Sequence, residues 1–464
     1  MKDADPLIYN IKRMYAKLTA AELIVLRNQL SILKTWLDDT SDGYLNIASL
    51  LSGSEVQFFV WKMLSDIWRQ KFGIEIPVVL RVSCEIQGYV RDWITEYASP
   101  DMVYKDVHDL RHQEIPVPEG GLAVCVFGIE CDTVSGLNNG WQERLGCVSE
   151  DSGRTGSSAV SCLQFVIVNS IASWLGECVK HLGSKDPSNG RTPAECIIEE
   201  ANKYGWIVWS HTVEGDEYGD PESRPRFYMY GHYVGKQESA KQQTDNWRFP
   251  ENIIKLAHFL IVLRIETAPL DLYLLPETHP TITCLRTSIS AFTINSEPPK
   301  PAKPQKRQKK NVNQDTEVAL DEPDKIESYE IDHLEAFESK GMQWPPQLPA
   351  KFLQKMVGQF ASSRRMQELI WFDESVNGSA DSIKEGLVVR DANLSKSWGC
   401  AKSGSIPCIA QSSVMYVRGV KQYCLRGSRG VCHAKSAQEI VSCISAHRLL
   451  SVSYTFLRSI LDYF

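Results

Sequence analysis

Residues 122–135, LAVCVFGIECDTVS, contain a short apolar run that passes directly into a loop with a cysteine. The run Leu122–Gly128 has the length of a buried strand, and Cys131 follows it in a glycine-containing turn. Further candidate strands are the apolar runs Val78–Ser83, Trp206–His211 and Phe227–Gly231. Helix-length segments separate these runs, so the pattern predicts a doubly wound α/β sheet. Ligands of such sheets bind beyond the carboxyl ends of the strands.

The remaining helical patterns lie around these strands. Val56–Gln70 and Ala194–Lys203 are candidate helices between strands. Residues 1–45 predict a helical segment, because Thr19 and Glu22 have the spacing of a capping box. Leucines recur there at helical spacing: Leu23, Leu26, Leu30, Leu33 and Leu37. The uncharged stretch Ser157–Ala172 predicts neither a clear helix nor a strand.

Composition places the chain among soluble globular proteins. It has 464 residues, of which 43% are apolar and 23% charged, enough for several domains with real cores. The net charge of −7 excludes a uniformly basic protein that coats nucleic acid. The first residues, MKDADPLIYN, lack the apolar segment of a signal peptide, and 13 cysteines contain no C-x-x-C pair. We therefore expect an intracellular protein with free thiols, no metal and no membrane contact, for which a nuclear location is plausible.

A linker composition interrupts the chain at residues 294–330. Four prolines stand in EPPKPAKPQKRQKK, six basic residues occur over 300–310, and six acidic residues follow over 315–327. The basic run is either a solvated surface or a contact for nucleic acid or a nuclear-targeting receptor. Residues 331–464 then form a second mixed region, with an extended stretch at Ser413–Tyr423 and a helix-like end at Leu449–Phe464.

Polar residues follow several strand candidates. Glu85 stands where an acidic residue holds a ribose in nucleotide sites, and Asp106 is expected to end the next strand. The turn Ser52-Gly53-Ser54-Glu55 precedes a helix, so its backbone N–H groups are candidates for ligand contact.

Three more charged residues are candidates for chemistry. Glu177 follows the apolar Trp174–Leu175 and would serve as an acid in a shielded site or lie exposed at a loop. Arg224 and Arg226 are one residue apart on an extended segment, so they point the same way. They suit recognition of a phosphate or a base, or else pair with Glu222 at the surface.

The order of these segments resembles the cytosine-C5 methyltransferase family. Residues 130–135, ECDTVS, keep the Cys and Ser of the family's Pro-Cys-Gln-x-x-Ser. ECV at 177–179 matches Glu-Asn-Val, and GDPESRPR at 219–226 matches Gly-x-Pro-Gln-x-Arg-x-Arg. Looser similarities are LSGSE at 51–55, VSCEI at 82–86, YKDVHDL at 104–110 and SGSIPCIAQSSVMYVRG at 403–419.

The resemblance implies a fold and a cofactor. The fold is a Rossmann-like S-adenosylmethionine-dependent methyltransferase sheet with a smaller C-terminal target-recognition region. Residues 46–235 would be the catalytic domain, 236–293 the start of target recognition, and 331–464 the remainder with a closing helix. The residues implied in S-adenosylmethionine binding are Ser52, Gly53, Ser54, Glu55, Glu85 and Asp106.

The resemblance also implies a mechanism on nucleic acid, with DNA favoured over RNA. The thiolate of Cys131 would add to cytosine C6, and Glu177 would protonate or hydrogen-bond N3. Arg224 or Arg226 would hold the ring oxygen. A base in duplex DNA would have to be flipped out to reach the cysteine.

Departures from the family's motifs keep other functions open. Glu130 replaces the proline before the cysteine, Asp132 and Glu222 replace glutamines, and Cys178 replaces an asparagine. A carboxylate beside a thiol disfavours the thiolate. The alternatives are a catalytically impaired nucleic-acid-binding module on this scaffold, an RNA cytosine methyltransferase, or a thiol enzyme of another type. The last has no histidine at the spacing of a base for Cys131.

Overall fold

The computed structural model describes residues 6–244, with gaps at 41, 52, 54, 117–120, 137–139 and 219–224. Beyond them it describes residues 264, 266, 328–350, 367–368, 371–372, 375, 388–391, 414–418 and 424–426. The chain divides into two compact units, Met1–Tyr273 together with Gln438–Phe464, and Leu274–Ala437.

Two helices begin the first unit, as the leucine spacing predicts. Helix α1 spans Pro6–Lys17 and helix α2 spans Ala20–Asp39. The predicted capping box of α2 is confirmed, because the Thr19 hydroxyl accepts the N–H of Glu22 at 3.2 Å and the Glu22 carboxylate accepts the N–H of Thr19 at 2.7 Å. The buried leucines of α2 are Leu26, Leu30, Leu33 and Leu37. They attach this helical pair to the core of the unit.

A seven-stranded sheet forms the centre of the first unit. Its strands are β1 Leu45–Leu50, β2 Val78–Cys84, β3 Met102–Tyr104, β4 Val124–Gly128, β5 Ser173–Val179, β6 Trp206–Val213 and β7 Arg226–Tyr233. The helices are α3 Val56–Phe72, α4 Gly88–Tyr97, α5 Gly153–Val168, α6 Pro193–Tyr204 and the short α7 Lys236–Ser239. Short 3-10 helices lie at Val107–Leu110, Gln142–Val148, Lys180–Gly183, Gly215–Glu217 and Ala240–Gln243. The four predicted strands and two inter-strand helices are confirmed, with ends that differ by no more than two residues.

The strand order identifies the fold. The sheet runs β3-β2-β1-β4-β5-β7-β6, and β1 to β5 pair in parallel. Strand β7 lies antiparallel between β5 and β6. Helices cover both faces, so the predicted α/β sheet is confirmed as a Rossmann-like methyltransferase fold.

Two apolar cores lie on opposite faces of this sheet. Leu45 and Ile47 of β1 contribute to the core under α1 to α4, whereas Ala48 and Leu50 contribute to the core under α5 and α6. All six residues of β1 are buried. A parallel strand covered on both faces is expected to be buried throughout.

Helix α5 corrects the expectation that Ser157–Ala172 forms no clear element. The helix covers most of that stretch and leads into β5. Its hydroxyls are used internally, since Ser157 donates to the Gly153 carbonyl at 2.7 Å and Ser161 to the Ser157 carbonyl at 2.7 Å. Nine of its residues are buried, so the helix has little of the polar face that makes a helix visible in sequence.

The edge strand β6 is partly covered by one side chain. Gln242 accepts the N–H of Val208 at 2.9 Å and donates to the Val208 carbonyl at 2.6 Å. The Gln242 carboxamide thereby makes the two backbone hydrogen bonds that a residue of a neighbouring strand would make. Exposed strand edges otherwise invite pairing with other chains.

The second unit contains helix α8, Ser328–Ser339, and an antiparallel sheet of β8 Val388–Asp391, β9 Val414–Arg418 and β10 Cys424–Arg426 in the order β10-β9-β8. Strand β9 confirms part of the predicted extended stretch. Within this unit, Nδ1 of the buried His333 lies 3.0 Å from the Glu368 carboxylate. The basic run at 300–310 and the helix-like end at 449–464 lie outside the described residues. Within the described ranges, none of the helices combines the length and apolar character needed to cross a membrane.

Candidate functional site

The turn between β1 and α3 has an unusual backbone. Leu51, Gly53 and Glu55 all have positive φ, at 55°, 69° and 55°. A Cβ placed on Gly53 would meet nothing within 4 Å, so this part of the turn faces open space. A turn of this shape before a helix lets a ligand approach the backbone closely. The neighbouring Ser52 and Ser54 lie outside the described residues.

The side chain of Glu55 points inward from this turn. Its carboxylate is fully buried and accepts hydrogen bonds from the Ser83 hydroxyl at 2.5 Å and the Gln57 amide at 2.9 Å. Gln57 also donates to the hydroxyl of Ser49. Glu55 therefore ties β1, β2 and α3 together beneath the turn, and its effect on a ligand would come through the backbone.

Glu85 follows β2 directly and faces the same turn. Its carboxylate accepts the N–H of Gln87 at 2.9 Å and the backbone N–H of Gly53. Burial raises the pKa of the Glu85 carboxyl, and these hydrogen bonds, with the charge of Arg91, reduce the rise. A buried carboxylate at this strand end is suited to accept hydroxyl hydrogen bonds.

Asp106 follows β3 after one residue and is partly exposed. Its carboxylate accepts the N–H of His108 at 2.9 Å and lies 2.6 Å from the Nδ1 atom of the same histidine. The backbone hydrogen bond is the main cause that lowers the pKa of Asp106. Asp106 thus caps the 3-10 helix at Val107–Leu110 and keeps its carboxylate ionised.

Cys131 lies in the segment that leaves β4. The Ile129 N–H donates to the Glu177 carbonyl at 2.8 Å, which continues the pairing of β4 with β5 for one residue. Cys131 is partly exposed. Burial raises the pKa of the Cys178 thiol, and Glu177 and Cys131 lie close enough to raise it further.

The amino end of α5 holds this segment on one side. The Thr133 N–H donates to the Thr155 hydroxyl at 3.2 Å, and the Thr155 N–H donates to the Thr133 hydroxyl at 3.3 Å. Asp132 pairs with Arg154 at 2.8 Å. The sequence did not single out Thr155 or Arg154, because nothing in the uncharged pattern that follows marked the start of a helix.

Glu130 brings an extra carboxyl group to this end of the sheet. Burial raises the pKa of Glu130, and the negative charge of Asp132 raises it further. Arg154 and His108 act in the opposite sense. Cys131 is therefore flanked in the sequence by two carboxyl groups, those of Glu130 and Asp132.

Glu177 and Arg226 form an ion pair across two antiparallel strands. Arg226 is the first residue of β7 and pairs in register with Val179 of β5. Its Nε lies 2.6 Å from Oε1 of Glu177, and its side chain is 7% exposed against 31% for Glu177. The other carboxylate oxygen of Glu177 lies 3.9 Å from where a Cβ on Gly128 would stand. The pair is therefore adjacent to the end of β4, from which the Cys131 segment departs.

These positions bring most of the predicted site residues to one edge of the sheet. Gly53 and Glu85 are joined by a hydrogen bond, and Glu177 and Arg226 by an ion pair. Arg224 lies outside the described residues. Within the described ranges, no group of three or more His, Cys, Asp and Glu residues has an arrangement that would hold a metal ion.

Solved structures similar to this chain at low identity include two DNMT2 proteins and a prophage methyltransferase. A prophage protein of E. coli described as a DNA modification methyltransferase is 13% identical, with a TM-score of 0.27, over 41% of this chain and 47% of its own. A variant of DNMT2 from Spodoptera frugiperda is 14% identical, with a TM-score of 0.27, over 44% and 52%. The Dnmt2 methyltransferase of S. pombe is 12% identical, with a TM-score of 0.27, over 45% and 58%.

The chain therefore spans about half the length of the structures it matches. Neither a family model nor a curated protein sequence matches it. The fold assignment rests on the strand order and not on these similarities.

Proposed function

We propose that this chain is an S-adenosylmethionine-dependent methyltransferase that modifies cytosine at C5 in nucleic acid, with DNA favoured over RNA. The observation that carries the proposal is the meeting of the Cys131 segment with the Glu177–Arg226 pair at the carboxyl edge of the sheet. Ligands of open α/β sheets bind at this edge. Residues 46–235 would be the catalytic domain, and residues 236–293 and 331–464 would contact the target.

The turn and strand ends fit an adenosine-containing cofactor. Gly53 leaves open space beside the backbone of the turn, and the Glu85 carboxylate reaches the same turn. Glu85 would accept hydrogen bonds from the ribose hydroxyls, and Asp106 would accept one from the adenine amine. S-adenosylmethionine supplies a methyl group on a sulfonium, which the nucleophilic C5 of the activated base accepts.

The chain's own groups would activate the base. Cytosine C5 is a poor nucleophile until the Cys131 sulfur bonds to C6 and the ring becomes an enamine. Glu177 would donate a proton or hydrogen bond to N3 and so favour that addition. Arg226 holds the Glu177 carboxylate in place, and Arg224 would hold the ring oxygen. Loss of the C5 proton and cleavage of the carbon–sulfur bond would then release Cys131.

A covalent trap tests this proposal. Fluorine at C5 cannot leave as a proton does, so a duplex oligonucleotide pool containing 5-fluorocytosine should form a stable adduct in the presence of cofactor. The adduct should be lost in Cys131→Ala and kept in Cys196→Ala, since Cys196 is another partly exposed thiol in the same unit. Methyl incorporation that is unchanged in Cys131→Ala would overturn the mechanism. A matched RNA pool with 5-fluorocytidine tests the preference for DNA.

A second candidate function follows from the acidic flanks of Cys131. Glu130 and Asp132 are carboxyl groups beside the thiol, and negative charge disfavours a thiolate. A catalytically silent module on this scaffold would bind nucleic acid with a salt-dependent affinity that falls when Lys306, Arg307, Lys309 and Lys310 are neutralised. It would form no adduct with the fluorinated pool, which separates it from the enzyme.

A further inference from the structure

His181 packs against the chain that follows Cys131. Its ring centroid lies 4.1 Å from that of Trp141, with 36° between the planes. A Cβ placed on Gly136 would lie 2.7 Å from Cε1 of His181, so only a glycine allows this close approach without a shift. One imidazole therefore contacts two separate points of the same stretch of chain.

His181 contacts this stretch of chain by packing and not through a hydrogen bond from its Nδ1 atom. Its Nδ1 atom is buried and has no hydrogen-bond partner within the part of the chain that the structure describes. Burial lowers the pKa of His181, and the charge of Lys180 lowers it further, so the ring is neutral near pH 7. A neutral ring whose Nδ1 makes no hydrogen bond acts through stacking and packing.

The position of His181 links two parts of the candidate site. It lies in the 3-10 helix Lys180–Gly183, which follows directly from β5 and hence from Glu177. The segment 131–136 is held on another side by the reciprocal hydrogen bonds of Thr133 and Thr155. His181 is thus a second support, and it comes from the strand that carries Glu177.

We propose that His181 is a positioning residue, which holds segment 131–136 so that Cys131 faces the Glu177–Arg226 pair. The reactive role of Cys131 rests on the proposed function, whereas the support given by His181 does not. A shift of about 1 Å in a reacting group lowers rates by up to about 100-fold. His181 would therefore affect turnover without contact to the base or the cofactor.

Alkylation of Cys131 tests the support without any assumption about the reaction. We expect iodoacetamide, with peptide mass spectrometry, to modify Cys131 about tenfold faster in His181→Ala, because the segment opens more often. The rate at Cys196 in the same sample should stay unchanged, which excludes general loosening. His181→Phe should restore the wild-type rate at Cys131. His211→Ala is the matched control, since His211 stacks on Trp209 at 5.5 Å on strand β6.

A second variant keeps the test decisive if His181→Ala folds poorly. Gly136→Ala places a methyl group against the ring and should also accelerate alkylation of Cys131, whereas His181→Ala in the same chain should relieve much of that effect. Equal rates at Cys131 in all variants, equal acceleration at Cys196, or failure of phenylalanine to restore the rate would each overturn the proposal.

A kinetic measurement, which depends on the proposed function, separates failure of that function from failure of the positioning role of His181. If the chain methylates cytosine, His181→Ala should lower kcat by about 10- to 100-fold and leave the KM for S-adenosylmethionine unchanged. If methyl transfer is absent in the wild type while the alkylation pattern holds, the proposed function fails and the support stands. If kcat is unchanged in His181→Ala, the positioning role fails and the proposed function stands.

Discussion

The guanidinium of Arg226, the first residue of β7, lies 2.6 Å from the carboxylate of Glu177, which is two residues before the end of β5. The contact exists because β7 runs antiparallel to β5, which brings the first residue of one strand to the last residues of the other. All the other strands contribute to this edge of the sheet through their carboxyl ends.

Loss of Arg226 should destabilise the fold more than loss of an exposed arginine. Arg226→Ala removes the ion-pair partner of the partly buried Glu177 carboxylate, and we expect the free energy of unfolding to fall by about 2 kcal/mol. Arg154→Ala is the control, because the Arg154 and Asp132 side chains are 73% and 60% exposed. Its loss should cost less than about 1 kcal/mol. Urea unfolding followed by circular dichroism measures both, and equal losses would contradict the prediction.

Glu85 should control cofactor affinity and its dependence on pH. Protonation removes acceptor capacity, and burial raises the pKa of Glu85 above the ordinary 4.5. Affinity for S-adenosylmethionine should therefore weaken as the pH falls through this raised pKa, at a higher pH than an exposed glutamate would show. Calorimetric titration at a series of pH values measures the effect.

The titration compares the same substitution, Glu to Gln, at Glu85 and at an exposed control position. Glu85→Gln should reduce binding at least about tenfold, a loss typical of one hydrogen bond to a charged group, and remove the dependence on pH in this range. Glu75→Gln, at an exposed residue before β2, should bind like the wild type. A wild-type affinity in Glu85→Gln would refute the ribose contact.

His232 should make the first unit less stable in mild acid. It is buried on β7, lies 3.0 Å from the Ser173 hydroxyl, and burial lowers its pKa from 6.5 to about 4. Between these values the unfolded chain binds a proton that the folded chain does not. Stability is thus complete above pH 6.5 and falls as the pH drops toward 4, by about 3 kcal/mol for this group.

Unfolding at several pH values tests this assignment. The decrease between pH 6.5 and pH 4 should be clearly smaller in His232→Gln than in the wild type. His112→Gln, at an exposed histidine, should keep the wild-type decrease. Identical pH profiles for the wild type and His232→Gln would show that other groups cause the acid sensitivity.

Gln242 should contribute to stability through its cover of the edge strand. Gln242→Ala leaves the N–H and carbonyl of Val208 without the partners they have now, so we expect a loss of about 1–3 kcal/mol. Among the described residues, the side chain of the neighbouring Gln243 makes one long hydrogen bond, of 3.5 Å to Asn202, and Gln243→Ala should be close to neutral. Light scattering of both variants would also show whether the uncovered edge promotes association.

The sequence was most informative where apolar runs had the length of a strand or a clear helical period. The predicted strands and inter-strand helices, and the capping box at Thr19, were confirmed because each has a local cause. Strand β1 and helix α5 were missed. Leu45–Leu50 mixes Asn and Ser into a fully buried strand, and α5 is buried on so many sides that it has little polar face.

The order of the candidate site residues along the chain was predictable from the sequence, but the contacts between their side chains were not. Glu85 was expected after a strand and lies there, but no sequence pattern indicated that its carboxylate reaches Gly53. Glu55 was grouped with the cofactor-binding residues, yet its side chain points into the core, because the left-handed conformation at that residue sets its direction. His181 went unnoticed as a support because its partners, Gly136 and Trp141, are distant in the sequence.

The antiparallel pairing of β7 limits where this part of the chain tolerates insertions. The segment between β6 and β7 can change in length without moving Arg226, because the ladder with β5 sets its place. A single residue gained or lost inside β7 is different, since it would exchange Arg226 for a neighbour opposite Val179 and turn the guanidinium to the other face. The strand would keep its hydrogen bonds and its apolar character while the ion pair disappeared. In this part of the protein, the Glu177–Arg226 ion pair depends on an exact residue count within β7.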